Sequence, residues 1–408
     1  MDSLTRFAGV DWASRSHAAC IVDERGEAVD RFDVDHTEPG LRTLGRRLAK
    51  GGVTKVAIER PDGPVIEALF GAGLEVVVIA SRHIKAIRLR YGTAGNKDDR
   101  SDAFILADVL RTDGHRLRPL QPDSPETVTL RTTVRARKDL VQTRTRLSLQ
   151  LRAHLELTFP GAIGLFSDLA SPIALNFLVR YPSAPKAAGV SPKRISAWLA
   201  KEGYSGRTSA EELCQRLENA PAGVVGPEAE SRAAVTMAFV RAIFAVRGQI
   251  SELEAGIREQ LQHHPDGKIF TSLPRAGQVR AATLLAEIGD VRERFPTPES
   301  LACLAGAAPS TRQSGQHRGV TFRFACDKKL RDALIDFAQD SRYANLWAAK
   351  VYDDARARHK THPHACRILA RAWVYIIWKC WQERAAYDPA RHRALQSVVL
   401  ASLCATAA

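Results

Sequence analysis

Apolar and polar positions alternate first with a period of two and later with a helical period. Phe7–Asp11 is apolar and ends on a carboxylate, and His17–Asp23 and Ala28–Asp33 predict two further strands joined by a turn at Glu24–Glu27. Leu41–Ala49 has helical spacing. Val53–Glu59 predicts a strand that again ends on a carboxylate, Val65–Phe70 a helix, and Leu74–Ala80 a buried β-branched strand. Helices are expected near Arg82–Arg90 and over Asp99–Thr112.

From Pro125 to Leu157 the pattern becomes one long basic helix. Val134, Val141, Ser148 and Leu155 recur seven apart, and Pro160-Gly161 closes it. Residues 160–228 are rich in Pro, Gly, Ser and Ala, with short helices expected around Ser191–Glu202 and Ser209–Asn219. A second long helix is expected from about Pro227 to Gln262, where Val235, Phe239, Ala242, Val246, Ile250, Leu253, Ile257 and Leu261 step by three or four. That stripe is coiled-coil-like; it suits packing on the first long helix, on another subunit, or within one bundle. From Lys268 the chain reads as mainly helical, with Trp373–Trp381 a core helix. His359, His362 and His364 straddle Pro363 without helical zinc spacing, and read as an exposed turn.

Three strands followed by strand–helix alternation fit the mixed sheet of a ribonuclease-H-like domain. The fold class is therefore α/β plus α, in three parts. Residues 1–120 form the sheet domain, 121–267 the long helices with a helical insertion, and 268–408 a mainly helical C-terminal domain.

Composition narrows the class of function. A charged fraction of 25% and a hydrophobic fraction of 45% belong to a globular chain. The net charge is +14, and 45 of the 59 basic residues are arginine, which suits gripping of phosphate on a polyanion. The longest apolar runs, Leu74–Ala80 and Ala372–Trp378, fall short of the roughly 18 residues that span a bilayer, so no membrane partner is expected. Seven dispersed cysteines without a Cys-x-x-Cys pair fit a reducing compartment, and a cytoplasmic, nucleoid-associated protein is expected.

Four carboxylates carry the candidate chemistry. Asp11 and Glu59 end strands, and Asp99 and Asp102 lie three apart at a helix start, on one face. Converging acids repel unless divalent cations sit between them, and Mg²⁺ suits oxygen donors and phosphate. Adjacent Asp98 competes with Asp99, although the spacing to Asp102 favours Asp99. The ordinary alternative is that acids are common at strand ends and helix starts.

In the C-terminal part, Ser272–Gly289 resembles a helix-hairpin-helix, with Pro274-Arg275 at the turn. Leu304–Val320 reads as a basic loop. There Ser314, before Gly315 and near Arg312, His317, Arg318 and Arg323, is a candidate nucleophile with Ser310 as competitor. A plain loop is the alternative.

These pieces together resemble the DEDD transposases of the insertion-sequence 110 family, which includes bridge-RNA-guided recombinases and the pilin-gene invertase. The N-terminal match is carried by Gly9-Val10-Asp11, Ile58-Glu59 and Lys97-Asp98-Asp99-x-x-Asp102-Ala103. The C-terminal match runs from Leu273-Pro-Arg-Ala-Gly through Leu304-Ala-Gly-Ala-Ala-Pro and Ser314-Gly315 to Lys329-Leu330-Arg331. The resemblance implies a RuvC-like domain holding Mg²⁺ at Asp11, Glu59, Asp99 and Asp102. It implies Ser314 as nucleophile, a covalent phosphoserine intermediate, and partners in donor and target DNA and a structured non-coding guide RNA. It also implies a homo-oligomer, a dimer that becomes a tetramer in the synaptic complex. Nucleic-acid contacts are expected at Lys97, Arg131, Arg135, Lys138, Arg144, Arg312, Gly315, Arg318, Arg323, Lys328 and Lys329. The competing function is a metal-dependent endonuclease of the Holliday-junction-resolvase type, in which water attacks. A non-catalytic nucleic-acid scaffold is the third class.

Overall fold

A computed structural model describes residues 5–81, 83, 84, 87, 88, 98–315 and 317–407. The chain divides into two compact units, Met1–Pro122 and Asp123–Ala408.

The first unit is built on five strands, β1 (Arg6–Trp12), β2 (Ser16–Val22), β3 (Ala28–Asp35), β4 (Val53–Ile58) and β5 (Glu75–Val78), in the order β3-β2-β1-β4-β5. β1, β2 and β3 pair antiparallel, whereas β1, β4 and β5 pair parallel, so the sheet is mixed as expected. Strand alternation sorts the core into two layers. Ala8, Val10, Val56 and Ile58 face helices α1 (Glu38–Lys50) and α2 (Pro64–Gly71). Ala57, Val77, Ala18 and Cys20 face the opposite side, against helix α3 (Asp99–Asp113). β5 is shorter than the apolar run that predicted it.

The second unit is organised by two long helices, α4 (Pro125–Thr158) and α9 (Pro227–His263). They pack on one another antiparallel. Leu130 and Val134 share a core with Ile257 and Leu261, and Leu151 and Leu155 share another with Val240 and Ile243. Of the expected stripe on α9, Ile250, Ile257 and Leu261 are buried, Phe239, Ala242, Val246 and Leu253 are half-buried and Val235 is exposed, so it is met only in part within the chain. By length and composition α9 is apolar enough to cross a membrane, contrary to the expectation from uninterrupted runs. Small residues and only two arginines over one stretch raise its hydropathy, while its buried positions pack on α4.

Between them, α5 (Pro172–Arg180), α6 (Ala184–Ala187), α7 (Pro192–Lys201) and α8 (Ala210–Glu218) close an aromatic core of Phe159, Phe166, Phe177 and Trp198.

The remainder packs onto the other end of the long pair. Its helices are α10 (Gly267–Thr271), α11 (Gly277–Ile288), α12 (Pro298–Leu304), α13 (Lys328–Ser341), α14 (Leu346–Ala357), α15 (His362–Gln382) and α16 (Arg393–Ala407). Trp373 and Trp381 are fully buried, as the core reading of that helix expected. His362 and His364 lie in the first turn of α15 and not in a turn preceding it. Thr361 is the N-cap and Pro363 takes an early helical position where its missing N–H costs nothing.

Candidate functional site

Asp11 stands at the end of β1, and the parallel register pairs Val10 with Ile58, which brings Glu59 beside it. Gly9 and Ala57 face α3, so two residues onward along the strands Asp11 and Glu59 occupy the same face. α3 lies directly on that face. A Cβ on Gly9 would meet the carbonyl oxygen of Ala103, and would stand 2.5 Å from the Ala107 nitrogen and 2.7 Å from the Leu106 Cβ. This close approach brings the helix turn carrying Asp102 onto the strand that ends in Asp11.

Asp98 serves as the N-cap of α3, accepting from the Arg100 N–H at 3.3 Å, and Asp99 is the first helical residue. Asp99 is exposed. Asp102 is 3% exposed and is held by a bidentate ion pair from Arg88, whose Nε donates at 2.7 Å. Glu59 accepts a hydrogen bond from Ser81 Oγ at 2.9 Å. Trp12 is covered by the Arg60 guanidinium, 3.9 Å from the ring centroid.

The four carboxylates are hard oxygen donors of the kind a divalent cation takes. Among the described residues, however, no three such side chains are gathered closely enough to hold one. The donor chemistry fits a divalent cation. The positive charge beside Asp102 is supplied by Arg88, which a cation would have to replace.

Sequence reasoning missed Arg88, Ser81 and the buried pair next to the site. His17 is fully buried, opposite Trp12 in the β1–β2 register, and its Nε2 lies 2.9 Å from His36 Nδ1. Burial, reinforced by His36, lowers the His17 pKa to about 4. A glycine inside a strand was the legible sign of close packing at Gly9. Nothing in the spacing singled out Arg88 from its neighbouring arginines.

In the second unit the predicted basic loop is a β-hairpin, β6 (Ser310–Ser314) and β7 (His317–Thr321). Both strands lack apolar alternation, so only backbone pairing and the turn define them, and the residue pattern could not announce them. Ser314 pairs with His317 at the tip, and Gly315 takes φ +55°, which the two-residue turn requires. Ser314 and Arg312 are exposed. Ser310, the competitor, pairs with Thr321 at the base. Arg323 donates to the carbonyls of Ala308 and Pro309 at 3.2 Å each, and so braces the hairpin base. Lys328 and Lys329 are exposed at the start of α13, which Asp327 caps. Lys97 and the side chain of Arg318 lie outside the described residues.

The long basic helix differs from expectation. Arg131 donates to the Ala286 carbonyl at 2.6 Å and pairs with Asp123. Arg135 forms a bidentate pair with Glu287, at 3.0 and 2.7 Å, and the Glu287 side chain is 3% exposed. Arg137 pairs with Glu254 at 2.7 Å and Lys138 with Asp332 at 3.4 Å. These cations fasten α4 to its neighbours. Of those proposed there for nucleic acid, only Arg144 has no ion pair among the described residues.

Ser272–Gly289 holds a turn and the single helix α11, and the helix before the turn, α10, ends at Thr271 ahead of it. Arg275, where a glycine usually follows the proline, has φ +55°. It and Arg280 hold Asp340 at 3.1 and 3.0 Å, which docks the turn on α13.

Comparison with known proteins covers both units. A family profile for DEDD transposases of the IS110 group matches residues 8–160, and one described as transposase IS116/IS110/IS902 family matches residues 267–353. The protein assigned as transposase of the IS117 mini-circle in Streptomyces coelicolor is 32% identical, over 96% of this chain and 97% of its own length. The 42 kDa protein of insertion element IS900 from Mycobacterium paratuberculosis is 29% identical over 94% of this chain and 97% of its own length. The 43.6 kDa protein of IS110 from Streptomyces coelicolor is likewise 29% identical, over 94% and 95%. These relationships, running the length of both units, establish that the chain belongs to the IS116/IS110/IS902 family of transposases.

Proposed function

We propose that this transposase cuts and rejoins DNA through a covalent bond to Ser314, supported by a divalent cation, Mg²⁺ by preference, at Asp11, Glu59, Asp99 and Asp102. The observation that carries the reading is the exposed Ser314 hydroxyl at the tip of a hairpin inside the family-matched block. The RuvC-like reading of the first unit rests on its strand order and mixed pairing.

Ser314 Oγ attacks a backbone phosphorus and the P–O3′ bond breaks. Oγ loses its proton and the departing O3′ gains one, giving a 5′-phosphoserine and a free 3′-hydroxyl. A 3′-hydroxyl from the other duplex then attacks the phosphoserine, expels Ser314 and restores a phosphodiester. The number of phosphodiester bonds is conserved, so no nucleotide cofactor is consumed. Arg312 beside the hydroxyl offsets charge on the phosphoryl oxygens. When bound, the cation stabilises charge on attacking and leaving oxygens. Asp102 would help hold it in place of its pair with Arg88, while Ser81 keeps Glu59 oriented. Donor and target DNA are the substrates. A structured bridge RNA selects them, and acids and serine are contributed to one strand by different subunits of a dimer or tetramer; both features rest on the family resemblance.

The test is Ser314→Ala with radiolabelled DNA in Mg²⁺. The protein–DNA adduct and strand exchange should disappear, by at least about a thousandfold, while DNA binding is retained. Asp102→Asn, or EDTA, should stop the wild-type reaction. Cleavage by Ser314→Ala at the wild-type rate would instead support the endonuclease in which water attacks.

A further inference from the structure

A cleft of about 430 Å³ opens at the base of the hairpin. Its floor is the small-residue turn Gly306–Pro309, and its walls are the end of β7 and one stripe of α15. His364, Arg367, Ile368 and Arg371 follow the i, i+3, i+4, i+7 pattern that puts them on one helix face. Across from them stand Val320 and Phe322.

The two walls differ in chemistry. Val320 is 60% exposed, although it is a β-branched residue beside an apolar ring. Arg367 lies 4.7 Å from the Phe322 ring centroid, which fixes its guanidinium at the mouth. Neither Arg367 nor Arg371 forms a close ion pair among the described residues, unlike Arg131, Arg135 and Arg137 of α4, and the charge of Arg371 is felt by Glu299. The turn at the floor lets backbone come close: Gly306 has φ +63°, and a Cβ there would meet Cys326 Sγ at 2.7 Å. A site with two guanidiniums on one side, apolar surface on the other, and room for a single small group suits a nucleotide.

We propose that this cleft receives one unstacked nucleotide of the DNA strand engaged at Ser314. Its phosphate lies against Arg367 and Arg371, and its base lies against Val320, Phe322 and Ile368. This deepens the serine reading and rests on it. The hairpin runs from Ser310–Thr321 at the cleft to Ser314–His317 at the tip. Four residues of strand span roughly 14 Å. At a rise of about 3.4 Å per nucleotide, that places the extruded position within about four nucleotides of the bond that Ser314 attacks.

The experiment places 2-aminopurine, one position at a time, at the four positions on each side of the cut, and adds the full-length Ser314→Ala protein to hold the complex before reaction. One position should brighten several-fold, because unstacking relieves quenching. In Arg371→Gln, and separately in Val320→Glu, that rise should be lost while the melting temperature and overall duplex binding stay near those of the parent. Strand exchange by the same substitutions in the wild-type background should fall about tenfold or more. No brightening at any of the eight positions, or brightening that both substitutions leave intact, overturns the proposal. So does a rise seen only when the fluorophore is in RNA. Adduct formation is scored separately with wild-type protein. Brightening without any serine adduct would remove the nucleophile and leave the cleft, and an adduct without brightening would do the reverse.

Discussion

His17 and Asp102 are both buried polar groups in the sheet unit, and the fold accommodates them in different ways. Asp102 takes the Arg88 guanidinium as partner. His17 loses its charge, because burial and the neighbouring His36 disfavour the imidazolium. In the unfolded chain His17 titrates near 6.5, and in the fold near 4. Between those values the unfolded state binds the extra proton. The stability it contributes is therefore complete above about pH 6.5 and is lost as pH falls toward 4, on the order of 3 kcal/mol in all. Urea midpoints at pH 7, 5.5 and 4.5 should fall steeply for the wild type and less so for His17→Leu. Parallel declines would show that His17 is not the group responsible.

Packing of α3 against β1 is the element-level contact on which the acidic site depends. It exists because Gly9 has no side chain. Gly9→Ala would drive a methyl into the backbone of Ala103 and Ala107, which cannot swing aside as a side-chain tip would. We expect a loss of about 3 kcal/mol in stability. Activity should fall by more than the unfolded fraction explains, since Asp102 moves with the helix. Thermal melts paired with a Mg²⁺-dependent cleavage assay test this, and an unchanged melting temperature would refute the close approach. The pairing of α4 with α9 obeys the same logic on a larger scale. The stripe on α9 suited packing on the first long helix, on another subunit or within one bundle, and α4 of the same chain covers part of it, with a separate core at each end.

For the whole molecule, net charge overstates the basic surface open to nucleic acid. Arg131, Arg135, Arg137 and Lys138 lie on one helix, yet each pairs with a carboxylate of the chain. Counterion release depends on phosphates contacted, and not on total charge. Arg144→Gln should therefore reduce the slope of log binding constant against log salt by about 0.7–0.9. Arg137→Gln should leave that slope unchanged and lower stability instead. Fluorescence anisotropy with duplex DNA across a salt series, alongside thermal melts, separates the two. Equal slope changes for both variants would mean that the α4 ion pairs open on binding.

Periodicity in the sequence was enough to predict the strands of the sheet unit, the two long helices and the aromatic core of α15, because each buries a face that repeats at the spacing of its own element, whereas the order of the strands came from the structure. The positions of Asp11, Glu59, Asp99 and Asp102 at strand ends and a helix start were legible as well, since those are local features. What the pattern could not contain was partnership at long range. That Arg88 reaches Asp102, that Arg135 reaches Glu287, and that Arg367 and Arg371 form no close ion pair among the described residues depend on which surfaces meet after folding. The hairpin bearing Ser314 was hidden for the opposite reason: it buries so little that no hydrophobic rhythm marks it, and only the pairing of its two backbones makes it a structure.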